Sequence, residues 1–177
     1  MAYFSRFPMM AYDVVGNDNY KLLPNILRRV KLRQGIRSGS FLFDNYDVTD
    51  GERPEDIAFK LYGDAELHWV VLMTNNITDR YYQWPLSAVQ FHEHLTDKYG
   101  AGNEDAVHHY EKTQDSGPTS SRDSSHLVEC NSDDGDPAII SNRDYEYRKQ
   151  DEYRQIRLLD PAFLSTFVEE FENLIRG

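Results

Sequence analysis

Six histidines and one cysteine are the residues of this chain best suited to metal binding or nucleophilic chemistry, and their spacing argues against both. The histidine clusters are His92-Glu93-His94 and His108-His109. On a helix, positions 92 and 94 lie about 200° apart, whereas the zinc motif of helical proteases needs two histidines four residues apart on one face. Asn131 to Asp136, NSDDGD, has the look of a calcium loop. With Gly135 in the sixth place, however, Cys130 falls on the first ligand position, where an oxygen donor is required. A turn is the simpler reading. Cys130 has no second cysteine to bridge, which fits a reducing compartment, and it reads as an incidental or buried thiol. GxSxG, P-loop, GxGxxG and CxxC patterns are all missing from the sequence. The sequence therefore predicts a non-enzyme with no catalytic residue, metal or cofactor. A histidine-dependent hydrolase is the weakest of three readings.

Charge and aromatic content point instead to protein contacts. A net charge of −11 over 177 residues opposes nucleic-acid binding, which needs a positive surface field. The cations are unevenly placed: Lys21, Arg28, Arg29, Lys31, Arg33 and Arg37 share a 17-residue window that contains no acid. Such asymmetry suggests a docking face, although a solvated surface is the bland alternative. Twelve Tyr, nine Phe and two Trp supply side chains that anchor interfaces and cores alike. No stretch approaches the roughly 20 apolar residues of a membrane span, and the N-terminus lacks a signal-peptide core, so a soluble, unsecreted chain with no membrane partner is expected.

The elements that must position these residues centre on Asp50 to Asn76, DGERPEDIAFKLYGDAELHWVVLMTNN. Pro54 suits a first helical position, and Ile57, Ala58, Leu61 and Tyr62 recur on one helical face. Gly63 ends that helix in the left-handed conformation, and Asp64 caps the next. Leu67 and Trp69 to Met73 are apolar almost all round, which predicts a buried second helix. Before this pair, residues 1–20 read as an extended arm that packs on something, Pro24 favours a helix starting near Leu23, and Phe41 to Val48 is a strand. After it, Ile77 to Pro85 reads as a loop with three aromatics packed together.

The capping box Ser87/Gln90 and the stop at Gly100 predict a helix over Ala88 to Tyr99. Val107 to Lys112 and His126 to Cys130 suggest a strand pair, separated by a turn-forming segment from Thr113 to Ser125, and Pro137 to Ser141 adds a short strand. Arg143 to Arg154 reads as a charged helix and Gln155 to Leu159 as a strand. In the last helix, capped by Asp160 and Pro161, Leu164, Phe167, Val168, Phe171, Leu174 and Ile175 make one apolar stripe.

Two resemblances attach to these residues. A strand followed by GERPEDIAFKLYGDAELHW resembles the LysM fold, whose order is strand, two helices, strand, and which commonly binds N-acetylglucosamine polymers. Here ITDRYYQWPLS follows Asn76 where that module has its second strand. A longer resemblance runs over about residues 20–100 and 141–176 and is to the baseplate wedge protein 53 family of T-even-type contractile-tailed bacteriophages. Its most specific pieces are WVVLMTNN, the loop from Asp79 to Trp84, and Arg154 to Arg157.

The resulting expectation is an α+β chain with a small LysM-like strand-helix-helix core, an extended N-terminal arm, a short β-rich middle and a C-terminal amphipathic helix. The corresponding segments are 1–40, 41–100, 101–140 and 141–177. The second resemblance implies a structural subunit of a tail baseplate, present in multiple copies in a symmetric assembly and contacting other wedge proteins. Its setting would be the virion, and the host cytoplasm during assembly. The alternative is a LysM-type glycan (peptidoglycan) binding module. For the partner surface the expected residues are Arg28, Arg29, Lys31 and Arg33 as the electrostatic side, the loop aromatics Tyr81, Tyr82 and Trp84, and Phe167 and Phe171 on the last helix. Closure of the core over Trp69 is the competing use of the loop aromatics.

Overall fold

The computed structural model describes residues 3–32, 41–113 and 126–177. It divides into two compact units, Met1–Trp84 with Arg154–Gly177, and Pro85–Tyr153, so the second is an insertion in the sequence of the first. These units cut across the four segments expected from sequence. The cause is a strand pair that closes the first unit from both sides of the insertion.

In the first unit a 3-10 turn, Tyr3–Arg6, leads into an antiparallel ribbon of β1 (Met9–Tyr12) and β2 (Lys21–Pro24). The helix expected to start near Leu23 is therefore a strand and a turn. Asn25 decides this: its N–H bonds the Pro8 carbonyl in continuation of the ladder, and its side chain accepts from the Leu27 N–H. Such a local side-chain turn competes directly with helix initiation. Strand β3 (Phe43–Asp47) follows, then α1 (Pro54–Tyr62), a 3-10 turn Ala65–Leu67, α2 (His68–Thr74) and the one-turn α3 (Arg80–Gln83). Gly63 sits at φ 74° between the helices, a conformation only glycine adopts without strain, and Asp64 accepts from the Glu66 N–H as expected.

The inserted unit contains α4 (Ala88–Tyr99), the three-stranded sheet β5-β4-β6 formed by β4 (Val107–Thr113), β5 (Leu127–Cys130) and β6 (Ala138–Ser141), and nearly all of α5 (Asn142–Arg154). The Ser87/Gln90 capping box is formed. Of the expected turn segment, residues 114–125 lie outside the described residues. The chain returns to the first unit through β7 (Gln155–Leu159) and ends in α6 (Leu164–Arg176).

Strand β7 pairs antiparallel with β3, so the two strands that flank α1 and α2 are joined across the whole insertion. Helix α2 lies between two apolar clusters: Trp69 and Val70 join Phe7, Phe43, Leu159, Phe171 and Ile175, while Val71 joins Ile57, Ala58, Trp84, Ile156 and Leu158. Tyr62 fastens this arrangement by donating to the Leu159 carbonyl, and burial pushes its hydroxyl pKa up to about 12. The N-terminal arm thus packs on its own unit through Phe7 and Tyr3.

Candidate partner-binding surface

His94, His108 and His109 are placed as polar packing groups. His94 lies 3.4 Å from the buried Glu146, whose carboxylate also accepts from Lys98 at 2.6 Å and from the Tyr99 hydroxyl at 2.8 Å. Burial opposes the Glu146 charge, but these donors hold its carboxyl below the usual glutamate range. His108 stacks on Tyr145 at 3.9 Å, and His109 meets Glu111, which Arg148 also binds. Among the described residues no group of three or more His, Cys, Asp or Glu side chains is arranged to hold a metal. Asn131 to Asp136 is a turn, with Gly135 and Asp136 at positive φ and the Asn131 N–H bound to Asp134.

The aromatic residues expected to meet partners separate into internal and external groups. Tyr81 and Tyr82 are 85% and 78% exposed, so the three loop aromatics do not pack together. A single turn of helix, capped by the Asp79 side chain on the Tyr81 N–H, carries the two tyrosines, and Trp84 follows it in extended conformation. Trp84 is buried, and its indole N–H donates to the Glu52 carbonyl at 2.9 Å. Phe171 is likewise core, with its ring centroid 4.5 Å from that of Trp69, and Phe167 stacks half-buried on the same indole. Trp84 and Phe171 are therefore core residues and not partner contacts, while Phe167 packs on the core with part of its ring exposed. An aromatic at i, i+4 on an amphipathic helix satisfies its own core first.

The basic window contributes one wall of a groove of about 680 Å³ in the first unit. Arg28, Arg29 and Lys31 line it together with apolar groups that include Phe4, Ile26 and Leu72. Arg28 has a structural task as well: its guanidinium donates to the Ile175 carbonyl at 2.8 Å, near the end of α6, where a cation opposes the helix dipole. Arg29 and Lys31 are exposed. Arg33 lies outside the described residues, as does Arg37.

One unburied apolar surface of the described residues falls in the stretch read from sequence as an extended arm. In the β1–β2 ribbon and its turns, Met9, Tyr12, Val14, Val15, Tyr20 and Leu22 are each at least half exposed, and Ile26 and Leu27 continue the patch. An isolated two-stranded ribbon is marginal in water, and exposed apolar residues grouped in this way make it a candidate interaction site. A sequence signal did exist: apolar residues occupy every position of MMAY and all but the lysine of KLLP, giving the ribbon apolar side chains on both faces.

Residues 1–117 of the chain match the family described as Base plate wedge protein 53. Over 73 residues the chain is 33% identical to the baseplate wedge protein gp53 of Enterobacteria phage T4. That stretch covers 40% of this chain and 37% of the relative, so the match spans little more than a third of the relative's length.

Proposed function

The chain belongs to the Base plate wedge protein 53 family, and from that membership we propose that it is a structural, non-enzymatic subunit of a contractile phage tail baseplate, joining wedge components through protein contacts. The observation that carries this reading is the apolar ribbon and groove of the first unit, which the described residues of the chain leave open. Its surroundings suit protein partners: Arg29 and Lys31 offer charge, and Tyr81 and Tyr82 offer rigid amphipathic contact area. Other wedge proteins are the partners, in multiple copies within a symmetric assembly in the virion, with assembly in the host cytoplasm. The reading has neither nucleic acid nor membrane as a partner, and the net charge of −11 opposes the first.

The test is sedimentation of the full chain mixed with purified wedge subunits of the same phage. Co-sedimentation is expected, with the double variant Tyr81→Ala and Tyr82→Ala weakening it by roughly tenfold, because exposed tyrosines at an interface anchor binding without supporting the fold. A chain that stays free in every mixture overturns the reading.

A further inference from the structure

We propose that the outer edge of β1 is a strand-addition site for an extended, apolar segment of another baseplate protein, with carboxylates at the end of that segment beside Met9. This rests on the reading of the chain as an assembly subunit. The backbone geometry singles out one edge. The Asn25 N–H bonds the Pro8 carbonyl at 2.8 Å, and the ladder register pairs Met9 with Pro24, Met10 with Leu23, Ala11 with Leu22 and Tyr12 with Lys21. Antiparallel pairs alternate between hydrogen-bonded and non-bonded, so 10/23 and 12/21 are bonded and 9/24 and 11/22 are not. The N–H and carbonyl groups of Met9 and Ala11 therefore point outward from β1. On β2 the outward groups belong to Leu22 and Pro24, and Pro24 has no N–H to give. Only the β1 edge presents an uninterrupted alternation of donors and acceptors.

Side chains and charge define the occupant. Met9, Ala11, Leu22 and Pro24 share one face of the ribbon, and Met9 and Leu22 are 58% and 70% exposed, so an incoming strand gains apolar contact as well as backbone bonds. The Met9/Pro24 end continues into three cations, Arg28, Arg29 and Lys31, whereas at the Tyr12 end Lys21 is offset by Asp13. A segment with carboxylates beside Met9 complements that polarity. A second copy added edge to edge would bring its Tyr12 end to this position, and there the exposed Lys21 paired with Tyr12 offsets the charge of Asp13, so the copy offers the cations no net negative charge. A different protein is the better occupant.

The experiment is residue-resolved amide exchange and capture, with the full chain and purified wedge subunits of the same phage. In the free chain the Met9 and Ala11 amides exchange rapidly, and in the complex they slow at least about tenfold, as newly paired strand amides do. Ala11→Pro, which removes an outward N–H and spares the β1–β2 bonds, lowers capture by about tenfold or more, while Ala11→Val, which keeps the N–H, stays within about threefold of wild type. Protection of the Met10 and Leu23 amides confirms that the proline variant keeps the ribbon. If it does not, the wild-type exchange pattern decides alone. Equal capture by a folded Ala11→Pro, or a complex with Met9 and Ala11 still exchanging, overturns the edge site and leaves the assembly reading intact. Failure of the wild-type chain to bind any wedge subunit overturns both. Protection of the same amides in a dimer of the chain alone overturns the heterologous occupant.

Discussion

The first unit holds two antiparallel strand pairs of nearly equal length, β1–β2 and β3–β7, and they are treated in opposite ways. The β3–β7 pair is closed. Phe43, Ile156, Leu158 and Leu159 are all buried against α2 and its neighbours. Its open β7 edge is also filled: the Asn75 side chain donates to the Arg157 carbonyl and accepts from the Arg157 N–H, both at 2.8 Å, as a neighbouring strand would. The β1–β2 pair has neither cover. Met9 and Leu22 face solvent, and no described residue takes the place at Met9 and Ala11 that Asn75 takes at Arg157. Backbone pairing is common to both, so what distinguishes scaffold from contact surface is whether the chain covers its own strands. Substitutions should divide accordingly, those at the closed pair changing stability and those at the open pair changing assembly.

The largest effect is expected at Trp69, which packs with Phe43 of β3 and Leu159 of β7 and stacks with Phe171. Trp69→Ala should cost about 3–5 kcal/mol of stability, the usual range for deleting a buried large aromatic. A urea midpoint for the first unit within error of wild type would break the comparison at its strongest point.

A smaller, pH-dependent effect is expected at Glu52, which closes the end of the β3–β7 pair. Its buried carboxylate accepts from the Tyr46 hydroxyl, from the Thr49 N–H and hydroxyl, and from Lys60, while its carbonyl accepts from Trp84. Burial opposes the charge, but Lys60, Thr49 and Tyr46 outweigh it and hold the carboxyl below the usual glutamate range. A carboxyl depressed in the folded state adds stability above its unfolded pKa, and that stability is lost as pH falls through the folded pKa. Glu52→Gln should therefore cost about 1–2 kcal/mol near neutral pH, a value kept low because the Lys60 side chain is 63% exposed. The gap between variant and wild type should narrow as urea titrations move from pH 7 towards pH 3. A gap that stays constant over that range would show that the carboxylate charge contributes nothing.

The two strands of the closed pair and their helices were largely legible in the sequence as separate elements, because their signals are local. Pro54, Gly63, Asp64 and Asp160 stand where the helix boundaries fall, and Ser87 with Gln90 forms the expected capping box. The partner of β3 was hidden for the opposite reason: β7 is separated from it by the whole inserted unit, and strand pairing at that distance leaves no mark in a short window. Which of the candidate contact residues are exposed was half legible. The cations of the basic window and the exposed Tyr81 and Tyr82 were visible by type, but composition does not say which aromatics the core will take, and it took Trp84 and Phe171. At Asn25 a side-chain turn overrode the helix that Pro24 suggested, turning an apparent arm into a ribbon.

The smallest stability effect is the most informative about the open pair. Leu22 is large, apolar and 70% exposed on the face it shares with Met9 and Ala11. Leu22→Ser deletes apolar surface that the isolated chain does not bury, so its stability should stay within about 0.5 kcal/mol of wild type, as for other surface substitutions. If a partner covers that face, the same substitution removes a buried leucine from the complex, about 1.5–3 kcal/mol, and weakens capture of wedge subunits by at least roughly tenfold. Urea unfolding and capture on one preparation separate the two contributions. A variant that loses stability but captures partners normally would mean that the ribbon belongs to the scaffold after all. One that is stable and capture-deficient places the ribbon among the surfaces the chain leaves for its neighbours to complete.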